Sequence, residues 1–356
     1  MDEINVEPVW SDSMGAKSTC VKVETSDTSI IIDPAAAVMQ KSFPMKTERK
    51  YTLLDKARQE IEKASKEAEH VFISHYHYDH HFLPDTSGID FSSVYSNKEI
   101  WTKDPNRWIN PSQWNRSRKF LQALLDTHEI DKNLDEFKTE PEEEEYEDPL
   151  KELPLLQEVN EDGYEERRNK LHKKWREKFF RRTEMWNQEK HVEEPLDNVH
   201  YADGKIIKAG STTIRFTDPL FHGIEYSKTG WVVSMIVEKS QNKFIYTSDI
   251  QGPTIEDYAE WIIQEDPDFL IMDGPATYLL GYMLNNFNLN RSVKNASKIV
   301  KECDFETMLY DHHLTRETNF REKTEDIWNT ASDIKDEVLT YREYIQGEKP
   351  IVEELD

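Results

Sequence analysis

Four histidines and an aspartate fall within seven residues, His75, His77, Asp79, His80 and His81, inside the stretch Val71–His81, VFISHYHYDHH. The chain has 12 histidines in 356 residues, so chance placement does not readily give a run this dense. A short β-prone run, Val71-Phe72-Ile73, delivers the pattern H-x-H-x-D-H at its end. On extended backbone, residues i, i+2 and i+4 share a side, so His75, His77 and Asp79 converge while His80 turns with the loop. Neutral imidazoles and a carboxylate are the ligands that zinc-like divalent ions take. A His-rich surface loop is the bland alternative, and the density of the run counts against it.

The same chemistry recurs after later β-prone runs. FTDPLFHG brings His222, YTSDIQG brings Asp249, LIMDGPATY brings Asp273, and MLYDHHL brings His312 and His313. Repeated delivery of His and Asp from strand ends is how an α/β scaffold assembles a two-metal site. Asp33 also closes a β-prone run, where it either braces a neighbouring polar group or starts a turn. Arg116 and Arg118 stand near the start of a helical stretch and could contact an anionic substrate group, although exposed helical arginines are more often only solvated. Cys20 and Cys303 form no C-x-x-C pair. Any metal must therefore be held by histidines and carboxylates.

The elements that must position these residues are legible in outline. Asn5–Trp10, Thr19–Glu24 and Ser29–Ile32 read as consecutive strands separated by turn-prone segments. Residues 50–68 carry Leu54, Ala57, Ile61 and Ala64 at helical spacing. Ser93–Ser96 reads as a short strand and Pro111–Leu125 as a helix started by Asn110-Pro111. In the second half, strands are expected at Ile206–Ile207, Thr212–Thr217, Trp231–Glu238, Phe244–Thr247, Phe269–Met272 and Thr307–Tyr310. Helices are expected at Tyr258–Gln264, Ser292–Cys303 and about Thr324–Ile345, the last ending at Gly347.

Between the halves the composition changes abruptly. Asp126–Glu165 holds 17 acidic and 3 basic residues, a balance of −14, which cannot fold by itself and is expected to be mobile. Glu166–His191 reverses sign, with 10 Lys and Arg against 4 Glu. There Leu171, Trp175 and Phe179 recur every four residues, flanked by Tyr164 and Trp186, the pattern of an amphipathic helix whose stripe packs on the parent domain or on another subunit. Residues 126–195 thus read as a separable, charged, partly helical insertion between 1–125 and 196–356. KKWREKFFRR within it keeps nucleic acid as a second partner class.

The net charge of −25 repels polyanions at long range and argues against a general nucleic-acid coat. No apolar run approaches the roughly 18 residues of a membrane span. The first residues, MDEINVEPVW, lack the form of a signal peptide. A cytoplasmic protein without membrane attachment is the expectation.

Taken in order, H-x-H-x-D-H, His222, Asp249 and His312, with Asp33 before them, resemble the signature of the metallo-β-lactamase superfamily. SHYHYDHH, FHG, TSDIQGP, DGPATYLLG and DHHL together are similar to an archaeal family of metallo-β-lactamase-like proteins. The resemblance covers 5–125 and 196–320. It implies an α/β fold, an αββα four-layer sandwich, with two divalent ions, zinc first and manganese or iron as alternatives. His75, His77 and His222 would hold one ion, Asp79, His80 and His312 the other, and Asp249 would bridge them. The doublet leaves His312 or His313 open as the last ligand, with His312 favoured. His81-Phe82-Leu83-Pro84 stands where the superfamily commonly has glycines, so the pocket floor must differ. His77 occupies a position that is usually Glu in the redox branch, which favours hydrolysis.

The implied reaction is hydrolysis by a metal-bridging hydroxide. Asp79 and Asp249 would orient it, and His313 would carry a proton to the leaving group. A phosphodiester or other small anionic ester is the expected substrate, met by Arg116, Arg118 and Tyr278. A nuclease of the same fold and a non-catalytic, metal-stabilised interaction module are the rivals, and the insertion is a candidate surface for self-association.

Overall fold

The computed structural model describes residues 3–159, 165–334 and 337–355, so Tyr164 lies outside the described residues. Two sheets form the core. The first has six strands in sequential order: β1 (Asn5–Ser11), β2 (Thr19–Glu24), β3 (Ser29–Ile32), β4 (His70–Ile73), β5 (Glu99–Thr102) and β6 (Val199–Tyr201). The second has seven: β7 (Ile206–Ala209), β8 (Thr212–Phe216), β9 (Met235–Lys239), β10 (Asn242–Tyr246), β11 (Phe269–Met272), β12 (Thr307–Tyr310) and β13 (Val338–Leu339), in the order β13-β12-β11-β10-β9-β8-β7.

Each half follows one grammar. Antiparallel hairpins come first, in β1-β2-β3 and β7-β8-β9-β10, and parallel strands follow. Parallel neighbours need long crossovers. The helix Thr47–Ser65 makes the one from β3 to β4, burying Leu54, Ala57 and Ile61, and it packs on β1 and β2. Glu256–Glu265, Asn286–Glu302 and Glu325–Ile334 lie on the crossovers of the second half and pack on one another. The sheets meet face to face through Phe72, whose ring lies 4.8 Å from that of Phe216, with Trp101 at 5.6 Å from the same ring. The layers run helix, sheet, sheet, helix. No helix among the described residues is long and apolar enough to cross a membrane.

The topology brings the chemistry to one edge. Because β1, β3, β4, β10, β11 and β12 are joined by pairs of antiparallel or single parallel relations within their sheets, the carboxyl ends of β1, β3 and β4 share one side, as do those of β10, β11 and β12. Asp12, Asp33, Ser74-His75, Asp249, Asp273 and His312 all follow such ends.

Several elements differ from their sequence reading. Ser93–Ser96 is not a strand: Phe91–Tyr95 forms a short helix because the Asp90 carboxylate accepts from the Ser92 and Ser93 amides, and the strand is Glu99–Thr102. The run Trp231–Glu238 breaks after Val232, so that Trp231–Val232 pairs with Leu220–Phe221 and fixes the approach to His222. The helix placed at Ser292 begins at Asn286, capped by Asn285. In place of one helix at about Thr324–Ile345 stand Glu325–Ile334 and Tyr341–Gln346, with β13 before the second, which a Thr340–Glu343 capping box starts.

In the described residues the charged insertion is docked on the parent domain. Leu134, Leu153 and Leu156 are buried, and the amides of Leu155 and Leu156 donate to Asp257 at 3.0 and 2.8 Å. Lys138–Thr139 pairs with His191–Val192. The helix Glu165–Gln188 sinks Phe179 and Trp186 among Trp108 and Trp231 of the parent domain, with ring centroids 5.5–6.0 Å apart, while Trp175 stays half-buried. Phe179 and Trp186 of its aromatic stripe are thus packed inside its own chain.

Candidate metal centre

Asp249, after β10, has both carboxylate oxygens buried and without a hydrogen-bond partner. Five imidazoles surround it. Its Oδ2 lies 3.4 Å from His75 Nε2, 3.3 Å from His80 Nε2, 3.2 Å from His222 Nε2 and 3.7 Å from His313 Nε2, and its Oδ1 lies 3.6 Å from His312 Nε2. His75 Nε2 and His77 Nδ1 are 2.9 Å apart. Asp79 closes the other side, 3.9 Å from both His80 Nε2 and His312 Nε2.

Donor atoms of His75, His77, His222 and Asp249 lie within 4.8 Å of one another, as do those of Asp79, His80 and His312, and those of Asp249, His312 and His313. An ion held by four ligands at about 2.0–2.1 Å has tetrahedral edges of roughly 3.3 Å, which the observed spacings bracket. His80 Nε2 and both nitrogens of His222 are likewise buried without a hydrogen bond. Orphaned polar atoms that converge on one point cost several kcal/mol unless something binds there. The donor set therefore fits metal ions, and Asp249 belongs to two of the three groups.

The far nitrogens of four of the rings, His75, His80, His312 and His313, are held. Asp33 Oδ2 lies 2.8 Å from His80 Nδ1, and Asp33 also accepts from the Ser74 amide at 2.7 Å and the Ser74 hydroxyl at 2.6 Å. Ser74 Oγ is 3.1 Å from His75 Nδ1. Asp12 Oδ1 and the Ser18 carbonyl flank His312 Nδ1 at 3.2 and 2.9 Å. Asp273 Oδ2 is 3.1 Å from His313 Nδ1. Such partners set ring orientation and tautomer. The backbone is strained to present them: Asp33, Ser248, Gln251 and His313 have φ of 46°, 56°, 55° and 65°. Gly223, at φ 85°, lets the chain after His222 pass Gln251, whose Oε1 would lie 2.6 Å from an added Cβ.

Electrostatics follow the packing. Burial pulls His80 down, but Asp249 and Asp33 more than offset it and hold the ring above the ordinary imidazole value. Burial and the neighbouring His80 hold His75 below it, and burial with His222 takes His77 to about 3. Burial with the adjacent Asp249 pushes Asp273 up. Desolvation would raise Asp79, yet His80, His312 and Arg316 outweigh it and keep Asp79 below the usual carboxylate range.

No family model matches the chain. The UPF0282 protein of Korarchaeum cryptofilum is 28% identical over 349 residues, covering 98% of this chain and 91% of its own length. That of Methanopyrus kandleri is 27% identical over 364 residues, covering 97% and 100%. The homologues of this chain are the archaeal UPF0282 proteins. Similar solved structures are members of the metallo-β-lactamase superfamily. They include human tRNase Z, short form (TM-score 0.32, 11% identity, 86% of this chain and 92% of that one), and a metallo-β-lactamase mutant of Cronobacter sakazakii (0.33, 11%, 92% and 91%). CmlA, a diiron β-hydroxylase from Streptomyces venezuelae, has a TM-score of 0.40 at 10% identity over 95% of this chain, which spans 52% of that protein.

All seven residues expected as ligands lie in the cluster, and His313 lies beside them. The arginines do not follow. Arg118 is stacked 3.3 Å over Trp114 and bonded to the Pro105 carbonyl and Asn106, so it fastens the loop before its own helix. Arg116 donates to the Tyr76 carbonyl at 3.3 Å and covers the Tyr78 ring, behind the motif loop. Tyr278 does reach the site's border, accepting from Arg316 at 3.2 Å. Asp12 and Arg316, which pair with each other, escaped the sequence reading. The floor formed by Phe82 packs on Phe91 and Tyr95, and His81 turns back to the His77 carbonyl at 2.9 Å.

Proposed function

We propose that this chain is a metal-dependent hydrolase that holds two divalent ions and acts on a phosphodiester or another small anionic ester. The observation that supports it most is Asp249, a buried carboxylate with no hydrogen bond to either oxygen and five imidazoles at 3.2–3.7 Å. In this reading His75, His77 and His222 hold one ion, Asp79, His80 and His312 the other, and Asp249 serves both. Zinc is the expected ion for nitrogen and oxygen donors without thiolate, with manganese and iron as alternatives. Ions bound there would acidify water and polarise a substrate oxygen.

The chain's own groups supply the rest. Asp79 and Asp249 orient what approaches the ions. His313, fixed at Nδ1 by Asp273, presents Nε2 as the atom that holds and moves a proton. His312 is taken as the ligand of the doublet because its Nε2, unlike that of His313, groups with the donors of Asp79 and His80, while Asp12 and Ser18 brace its far nitrogen. The test is metal analysis joined to a substrate panel of bis-nitrophenyl phosphate, lactones and thioesters. Turnover of the phosphodiester by metal-loaded protein is expected; a fully loaded protein inert towards the whole panel would favour the interaction-module reading.

A nuclease is the second reading, favoured by one surface. Lys178 is held below the ordinary lysine value by burial and by the like charges of Lys174, Lys228, Arg181 and Arg182. Lys228 and the Ser227 carbonyl, which accepts from Arg182, lie on the loop that follows His222. RNA binding there should weaken steeply with salt, by about −0.7 per phosphate contact on a log–log scale. A flat salt dependence would remove this reading.

A further inference from the structure

Beside the cluster lies a charged edge that metal binding alone does not use. Arg316 is buried and shared: Nε donates to Asp12 Oδ2, Nη1 donates to Tyr278 Oη at 3.2 Å, and Nη2 faces Asp79 Oδ2 at 3.6 Å and His312 Nε2 at 3.4 Å. Lys17 stands on the loop between β1 and β2, between Asp12 and Ser18, the two residues that brace His312. Its half-buried ammonium feels the charges of Arg316, Asp79 and Asp12 but makes no hydrogen bond among the described residues. Asp12 is already answered by Arg316 and His312, and Asp79 faces the cluster. Among the described residues Lys17 is thus a cation without a carboxylate of its own.

Tyr278 adds a donor. Because Arg316 donates to its oxygen, the phenolic hydrogen is left to point away from the guanidinium. Solvent meets the cluster here: the Asp79 side chain is 17% exposed, against 0–1% for His75, His80, Asp249 and His312, and His77 is the other partly exposed ligand. In a chain of net charge −25, a local cationic border of this kind is what admits an anion to the site.

We propose that Lys17 and Tyr278, backed by Arg316, form a subsite for a phosphate-type oxyanion of the substrate at the Asp79 side of the centre. The inference rests on the metallohydrolase reading and names the residues that would recognise its anionic substrate, in place of Arg116 and Arg118. Two donors of this kind suit the two non-bridging oxygens of a phosphodiester. Neither group is a ligand, so metal content and anion binding are separable.

The experiment measures inorganic phosphate and acetate binding by isothermal titration calorimetry to the full chain, with metal content determined on the same samples. Wild type is compared with Lys17→Met and Tyr278→Phe, the second of which removes a single oxygen and spares the packing. Both variants should keep the wild-type metal content and lose about tenfold or more in phosphate affinity, the cost of one charge-assisted hydrogen bond, with a smaller loss for acetate. Unchanged phosphate affinity at normal metal content would overturn the subsite, and equal losses for both anions would overturn its phosphate assignment. Should wild type bind no metal, the hydrolase reading falls separately; phosphate binding to that metal-free protein, weakened or not by Lys17→Met, still decides for or against the subsite.

Discussion

Tyr246 Oη lies 2.5 Å from Asp33 Oδ2, and the same oxygen is 2.8 Å from His80 Nδ1. One carboxylate at the end of β3 therefore joins the two sheets and sets the angle of a ring in the cluster. Ser248 repeats the link one step away, donating to Ser74 at 2.7 Å. The sandwich interface and the candidate metal centre are built from the same hydrogen bonds.

Asp33→Asn should accordingly act on metal binding more than on fold. The amide keeps the shape but cannot accept from every present donor at once, so His80 loses its brace. A loss of about 10–100-fold in affinity for the second ion is expected, with the first ion retained. Competitive chelator titration measures it; identical affinities for both ions would show that Asp33 does not orient His80 as a ligand.

Asp249→Ala should remove both ions, since its carboxylate faces donors of both groups. About two transition-metal ions per chain are expected in wild type after reconstitution. The variant should fall to near zero while its far-ultraviolet circular dichroism stays that of wild type, because the strands of the core are apolar. Retention of two ions by the variant would show that Asp249 is not shared.

How far these relationships are legible in the sequence depends on their range. β11 and β12 are fully buried four-residue runs, apolar but for Thr307, between turn signals, and their bounds follow directly. The donors at strand ends are equally visible, since each is a His or Asp placed just after such a run. Glu99–Thr102 begins with a charge and hides behind the Asp90 cap that turns the preceding residues into helix. β13 has two residues, too few for any period to register. Asp12 and Arg316 are 304 residues apart, and nothing local to either announces the pair. Arg118 misleads for the opposite reason: its local pattern suggests a free cation, and tertiary packing consumes it.

Glu225 supplies a pH signature away from the metals. Desolvation raises this buried carboxyl, but His172 at 2.8 Å and Arg291 outweigh it and bring it from 4.5 to about 2. A folded value below the ordinary one means stabilisation that is full above about 4.5 and lost as pH falls through about 2. Its size is on the order of 3 kcal/mol. Urea midpoints of wild type and Glu225→Gln should differ most near neutral pH and converge towards pH 2. Metal loss in acid affects both proteins alike, so a constant gap would show that the carboxylate is not held by His172 and Arg291.

The insertion yields the sharpest test of architecture, because a charged segment that reads as separable is tied into the core. Trp186 is fully buried, donates Nε1–H to the Ile109 carbonyl at 3.0 Å, and packs on Trp108, Tyr146 and Trp231. Trp231 belongs to the short strand paired with Leu220–Phe221, which leads directly to His222. Trp186→Ala should therefore cost about 3–5 kcal/mol and loosen the His222 side of the centre. Replacing 126–195 by a short linker removes Phe179, Trp186, Leu134, Leu153, Leu156 and Val192 together, each of which would otherwise contribute about 1.5–3 kcal/mol by burial. The six together amount to roughly 9–18 kcal/mol, comparable to the whole 5–15 kcal/mol by which domains are usually stable. The shortened chain is expected to unfold without a cooperative transition in urea and to bind fewer ions than wild type. A soluble, cooperatively unfolding remainder with full metal content would show instead that the parent domain carries the centre alone and that the aromatic seam is dispensable.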